Sequence, residues 1–213
     1  FFITKKVIHI IEFAFFKETA SVYFDLNYYL KRYEDIPRDY SSDKALKHFI
    51  IYGANEGRKP SQHFDTVFYT NNHCVEGYNP ISHFILFGIT NKLSPNPYYD
   101  HKIYVTANED LKNLENPFEH FIKYGIKENR KSSDFFNPIK YLRLNPDVAE
   151  AGMPALSHYL AYGISEGRRP SSSTNTQKKG TLETKKIYKG SFDKILKLKK
   201  QTSSAASLDI IIP

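Results

Sequence analysis

The stretch His48-Phe49-Ile50-Ile51-Tyr52-Gly53 returns three times: as His83-Phe84-Ile85-Leu86-Phe87-Gly88, as His120-Phe121-Ile122-Lys123-Tyr124-Gly125 and as His158-Tyr159-Leu160-Ala161-Tyr162-Gly163. The histidines stand 35, 37 and 38 residues apart. A steady period of that size belongs to helical repeat proteins, in which each unit is one small packing module that cannot bury its apolar face alone. The expected fold class is therefore mainly α: an array of four two-helix repeats covering residues 24–170.

Upstream of each histidine lies a second shared pattern. An aromatic residue is followed by Asp or Asn at Phe24-Asp25, Phe64-Asp65, Tyr99-Asp100 and Phe136-Asn137, and a tyrosine stands four residues after each at Tyr29, Tyr69, Tyr104 and Tyr141. Asp and Asn are N-cap residues. An apolar residue just before the cap and another four after it form a hydrophobic staple, so each pattern predicts the start of a first helix. In the fourth copy Asn145-Pro146-Asp147-Val148 and Gly152 predict a short extra helical turn; Pro80, Pro117 and Pro154 then introduce the second helix of their copies.

The second helix carries the histidine, and the reading ends it at Gly53, Gly88, Gly125 and Gly163, each in the left-handed conformation. Glu56-Gly57-Arg58 and Glu166-Gly167-Arg168 follow; the third copy has Glu128-Asn129-Arg130, with Asn as the next residue able to take positive φ. The second copy reads Asn91-Lys92-Leu93 and is the degenerate one. Four histidines invite a metal reading, but each copy has one, with no Cys, His or carboxylate at ligand spacing beside it. The favoured reading is a ring packed between helices and hydrogen-bonded to backbone, and no metal or catalytic residue is assigned. The Glu–Arg pairs read as local salt bridges, with an anion clamp by Arg58, Arg130 and Arg168 as the alternative.

The ends differ from this middle. Phe1–Phe16 carries Val7, Ile8, Ile11 and Phe15 at helical spacing, which predicts an amphipathic helix in a 1–23 N-terminal region, packed on the first repeat or lying at a membrane interface. Residues 171–207 hold nine lysines and two acids, a formal +7; with Asp209 counted, residues 1–170 carry a formal +1. The helical part thus lacks the basic stripe a nucleic-acid surface needs, and no nucleic acid is expected. The 171–207 stretch reads as a basic linker, with peripheral membrane contact through Phe192, Ile195, Leu196 and Lys197–Lys200 as the alternative. Residues 208–213, Leu208-Asp209-Ile210-Ile211-Ile212-Pro213, read as the first buried strand of a further α/β domain, or as a frayed apolar end. The single Cys74 allows no intrachain disulfide, which fits a reducing compartment, and no run of about 18 apolar residues spans a bilayer. Phe1 at the start, Met153 as the only methionine and the Ile-Ile-Ile-Pro stop carry the expectation of an internal fragment.

The pattern F-D-x-x-Y-Y-L … N-P-D-V … A-G … P-L-x-H-Y-L-x-Y-G-x-x-E-G-R-x-P resembles a repeat of bacterial proteins, often N-terminal to glycosyltransferase domains of cell-surface polysaccharide synthesis. Phe136–Pro170 is nearly a full match, the first copy matches at both ends, and the other two match in parts. Asp209–Pro213 resembles the opening strand of family 2 glycosyltransferases, which leads into the nucleotide site of a Rossmann-like sheet. The resemblance implies a parent enzyme that uses a nucleotide-sugar donor with Mg or Mn, at the cytoplasmic face of the inner membrane. Its partners would be a glycan acceptor or another enzyme of the polysaccharide pathway. Only Ile212 and Pro213 carry over, as the edge of the nucleotide (cofactor-binding) site, so the chain itself is expected to be inactive. The competing expectation is a stand-alone helical module that binds polysaccharide or a protein. A tetratricopeptide-like adaptor fits the period alone, since the Trp-x-x-Leu-Gly signature is absent from a chain with no Trp.

Overall fold

A computed structural model describes residues 5–75 and 77–170. The expectations for residues 171–207 and for the 208–213 strand, including Ile212 and Pro213, lie outside the described residues. Among the described residues the chain is mainly helical: ten α-helices and no strand, with one isolated bridge between Ser61 and Phe64. They are α1 (Lys5–Ala20), α2 (Leu26–Arg32), α3 (Ser42–His48), α4 (Thr66–Asn72), α5 (Pro80–His83), α6 (His101–Ala107), α7 (Pro117–His120), α8 (Pro138–Leu144), α9 (Pro146–Glu150) and α10 (Ala155–His158).

The first helix of each copy starts as its sequence dictates. Asp25, Asp65, Asp100 and Asn137 accept a hydrogen bond from the backbone N–H three residues on, at Tyr28, Phe68, Ile103 and Lys140. The staple rings touch in every copy, with centroids 5.2 Å apart for Phe24–Tyr29, 5.3 Å for Phe64–Tyr69, 5.4 Å for Tyr99–Tyr104 and 5.3 Å for Phe136–Tyr141. The cap N–H of Asp25, Asp65 and Asp100 bonds back to the carbonyl of Pro60, Pro95 and Ser132, so the tail of each of these copies is tied to its own start.

The second helix departs from expectation. It does not stop at Gly53, Gly88, Gly125 or Gly163, and none of these glycines has positive φ. Instead α3, α5, α7 and α10 each widen into a π turn, at Phe49–Gly53, Phe84–Gly88, Phe121–Gly125 and Tyr159–Gly163. Its hydrogen bonds span five residues, as from the Ala54 N–H to the Phe49 carbonyl at 2.9 Å. The helix closes four residues later, at Gly57, Lys92, Asn129 and Gly167, with φ of 71°, 58°, 53° and 68°. There the N–H of the left-handed residue bonds three back, and the next N–H bonds five back to the motif glycine (Arg58 to Gly53, 2.9 Å; Arg168 to Gly163, 2.8 Å), which is a Schellman closure. The second copy keeps this geometry with Lys92, a residue not built for it.

The N-terminal helix exists, but its buried face is not the expected one. Val7 and Phe15 are exposed, whereas His9, Glu12 and Ala20 are buried and Phe13 and Phe16 pack on the core. α1 lies across the second helices of both the first and second copies, not the first alone. Glu12 is fully buried; it accepts a hydrogen bond from the Asn79 N–H at the start of α5 and pairs with His9 Nδ1 at 2.6 Å. A carboxylate can sit there because donors surround it.

One continuous core runs through all four copies, and its largest members are the staple and motif rings, among them Tyr29, Tyr69, Tyr104, Tyr141, Phe49, Phe84 and Phe121. Packing between copies is aromatic: Tyr23 meets Phe84 and Phe118, Phe84 meets Phe118, and Tyr98 meets Tyr159.

Candidate functional site

The motif residues converge on one junction in each copy. The staple tyrosine crosses from the first helix to the second, and its hydroxyl shares a hydrogen bond with Nδ1 of the motif histidine. The distances are 3.1 Å for Tyr29–His48, 2.8 Å for Tyr69–His83, 2.9 Å for Tyr104–His120 and 2.9 Å for Tyr141–His158. The histidine thus packs between helices as expected, but its partner is a tyrosine hydroxyl rather than backbone. The same hydroxyl lies against the motif glycine, under 3.0 Å from where a Cβ would stand in all four copies. The glycine is required by close approach and not by φ. The π turn follows from the same demand. His and Gly stand five residues apart, and on a straight α-helix they would point about 140° away from each other. A turn closed over five residues brings both to one face, where one hydroxyl meets them.

From this junction a tilted ring contact leads outward. His48 packs on Tyr52 at 5.6 Å, His120 on Tyr124 at 5.3 Å and His158 on Tyr162 at 5.6 Å. These three tyrosines are about half exposed. In the second copy the outer ring is Phe87, tilted against His83 at 5.2 Å and buried beneath Tyr78 with Ile11 of α1 beside it. Tyr stands where the ring meets water, and Phe where the chain covers it.

Beside each closure sits a charged clamp. Arg58 contacts Glu56 through Nε at 2.5 Å and both oxygens of Asp35 at 2.8 and 2.7 Å. Arg130 repeats this with Glu128 and Asp110, and Arg168 with Glu166 and Asp147. The Glu–Arg pair was legible in sequence; the more distant Asp, which ties the closure to the chain after the first helix, was not. Hydrogen bonding to Arg holds Asp35, Asp110 and Asp147 below the usual carboxylate range. All three guanidinium groups are engaged by carboxylates of their own copy, which leaves the anion-clamp alternative without support. In the second copy Leu93 stands at the Arg position and Val75 at the Asp position, and both pack against the core. Ion pair and apolar pair exchange as a unit.

Burial pushes His83 down to about 4, with His73 adding to it. Burial also pushes His63 down to about 4, and lowers His48 and His73. The staple tyrosines are raised by burial and keep their protons. Among the described residues no three His, Cys, Asp or Glu side chains gather as a metal-binding group, and no helix is long and apolar enough to cross a membrane. Two recesses between copies, one by Phe84, Leu93, Tyr99 and Phe118 and one by Phe121, Ile126, Phe136 and Leu156, are almost filled by side chains, with about 10 Å³ of free space in the first and about none in the second. No protein-family model, no curated protein and no solved structure matches this chain at a significant level.

Proposed function

We propose that residues 24–170 form an array of four helical repeats. In this reading the array is the non-catalytic N-terminal scaffold of a bacterial glycosyltransferase that moves sugar from a nucleotide donor to a cell-surface polysaccharide, at the cytoplasmic face of the membrane. One observation carries the scaffold part: in every copy the staple tyrosine hydroxyl is taken up by the motif histidine Nδ1 against the motif glycine, and in three copies the Arg is taken up by an Asp of the same copy. Residues that recur to brace a module leave no reactive group poised for chemistry. The glycosyltransferase part rests on the motif resemblance and on Asp209–Pro213, with Ile212 and Pro213 at the edge of the nucleotide site. The parent's Mg or Mn would be held by residues beyond this chain. The test is the reading frame past Pro213, followed by transfer of labelled sugar from nucleotide donors by the full-length protein with Mg²⁺ or Mn²⁺. A frame that ends there, or runs into more repeats, removes the catalytic reading.

A second reading is a glycan-binding module, favoured by Tyr52, Tyr124 and Tyr162. Each is a half-exposed ring held in place by a histidine that is itself hydrogen-bonded, a rigid platform suited to stacking on a pyranose. Calorimetry of this chain against soluble bacterial polysaccharides tests it; binding that survives Ala at all three positions rejects it.

A further inference from the structure

α1 is built inside out. His9 and Glu12, its polar residues in the middle turns, face the array and are 2% and 0% exposed. Val7, Ile10 and Phe15, at 43%, 41% and 40%, face outward with the exposed Ala14 among them. From Val7 to Phe16 every exposed residue is apolar. A helix that is apolar on its outer side as well calls for a second apolar medium over it. Lysines border the stripe. Lys5 and Lys6 open the helix in sequence and Lys17 stands in its last turn. α3, which packs beside α1, adds the exposed Lys44 and Lys47, with the Lys47 ammonium 6.0 Å from the centre of the Phe13 ring. Glu18 and Asp43, the exposed acids of α1 and α3, both lie against Lys17. Residues 1–170 carry a formal +1, so five lysines against two exposed acids is a local excess.

That chemistry selects among the possible occupants. The chain's own 171–207 stretch holds nine lysines and is repelled by the border. A second copy would bring the same positive border against this one. A stable protein contact also buries roughly 800 Å² on each side, of which three side chains less than half exposed supply a small part. An anionic bilayer needs no such area. A short apolar stripe at the acyl boundary and a few lysines over the headgroups act together where neither suffices alone. We propose that α1 is an interfacial anchor that lays Val7, Ile10, Ala14 and Phe15 into an anionic membrane surface. The buried Glu12, bonded to the Asn79 N–H, fixes the helix to the array, so the repeats are held alongside the bilayer. The proposal rests on α1 and its surroundings and stands apart from the glycosyltransferase reading.

Co-sedimentation of the whole chain with phosphatidylcholine vesicles, with and without phosphatidylglycerol, tests it. The chain should bind the mixed vesicles, leave the neutral ones, and bind less as salt rises. Val7→Asp with Ile10→Asp should weaken binding by about tenfold or more, with a melting curve showing the variant folded. Val67→Asp changes an exposed apolar residue of α4 and should bind as the parent does. Phe15→Trp gives the chain its only Trp. Its emission should move to the blue on mixed vesicles and be quenched by brominated lipid. A parent that binds neither vesicle, or both equally, overturns the proposal. So does binding that the double variant retains, or that leaves the Phe15→Trp emission unmoved; either result assigns the contact to the lysines after residue 170.

Discussion

A methyl group added at Gly163 tests the central feature of each copy. In isolation Gly→Ala inside a helix gains about 1 kcal/mol. Here the new Cβ would fall against the Tyr141 hydroxyl, under 3.0 Å away, with Tyr159 Cδ2 at 3.1 Å. The tyrosine must shift, which surrenders its bond to His158 and overpacks the helix pair. Overpacking costs about 1–3 kcal/mol and the lost bond about 1, so the net expectation is a loss of about 1–3 kcal/mol. For a domain of this size that is a fall of roughly 5 °C in Tm. Tyr141→Phe alone should cost about 1 kcal/mol. In the double variant the hydroxyl is gone, and the next atom of that ring, Cζ, lies 3.5 Å from the Cβ, an ordinary contact. The pair should then cost less than the sum by about 1–2 kcal/mol. Urea denaturation followed by circular dichroism measures all three. Additivity within about 0.5 kcal/mol would falsify the close-approach account of this glycine.

Three further outcomes follow from the geometry. His83 titrates near 6.5 when unfolded and at about 4 when buried, so its contribution is full above pH 6.5 and is lost as pH falls towards 4. That loss amounts to about 3 kcal/mol in all, and His83→Gln should remove it from the stability–pH curve; an identical curve for the variant rejects the assignment. Gly167→Asn should melt close to the parent, because Asn129 already serves at φ 53° in the third copy, whereas Gly167→Val should lower Tm; equal tolerance of both would contradict the closure at this residue. Arg130→Leu alone should lower Tm by removing the tie from the closure to Asp110 and Glu128, and adding Asp110→Val should recover part of the loss through apolar packing, as Leu93 and Val75 do in the second copy; no recovery in the double variant counts against the paired exchange.

Sequence determined the parts of each copy that depend on neighbours along the chain. The caps at Asp25, Asp65, Asp100 and Asn137, the staple rings and the short helix from Pro146 are local, since a side chain three or four residues away meets its partner whatever the rest does. The same is true of Gly57, Asn129 and Gly167, where a closed helix demands positive φ. Tertiary structure decided the remainder. Gly53 and its equivalents resemble helix stops in sequence, yet what excludes a side chain there is a tyrosine from another helix. The π turn has no sequence signature of its own; it arises because one hydroxyl must meet two residues five apart. Asp35, Asp110 and Asp147 lie about twenty residues from their arginines, and only the folded pairing of helices brings them within reach. α1 buries His9 and Glu12 and exposes Val7 and Phe15 for the same reason: a helix shows its face to whichever partner supplies donors for its polar groups, and that partner was the N–H of Asn79, sixty-seven residues away.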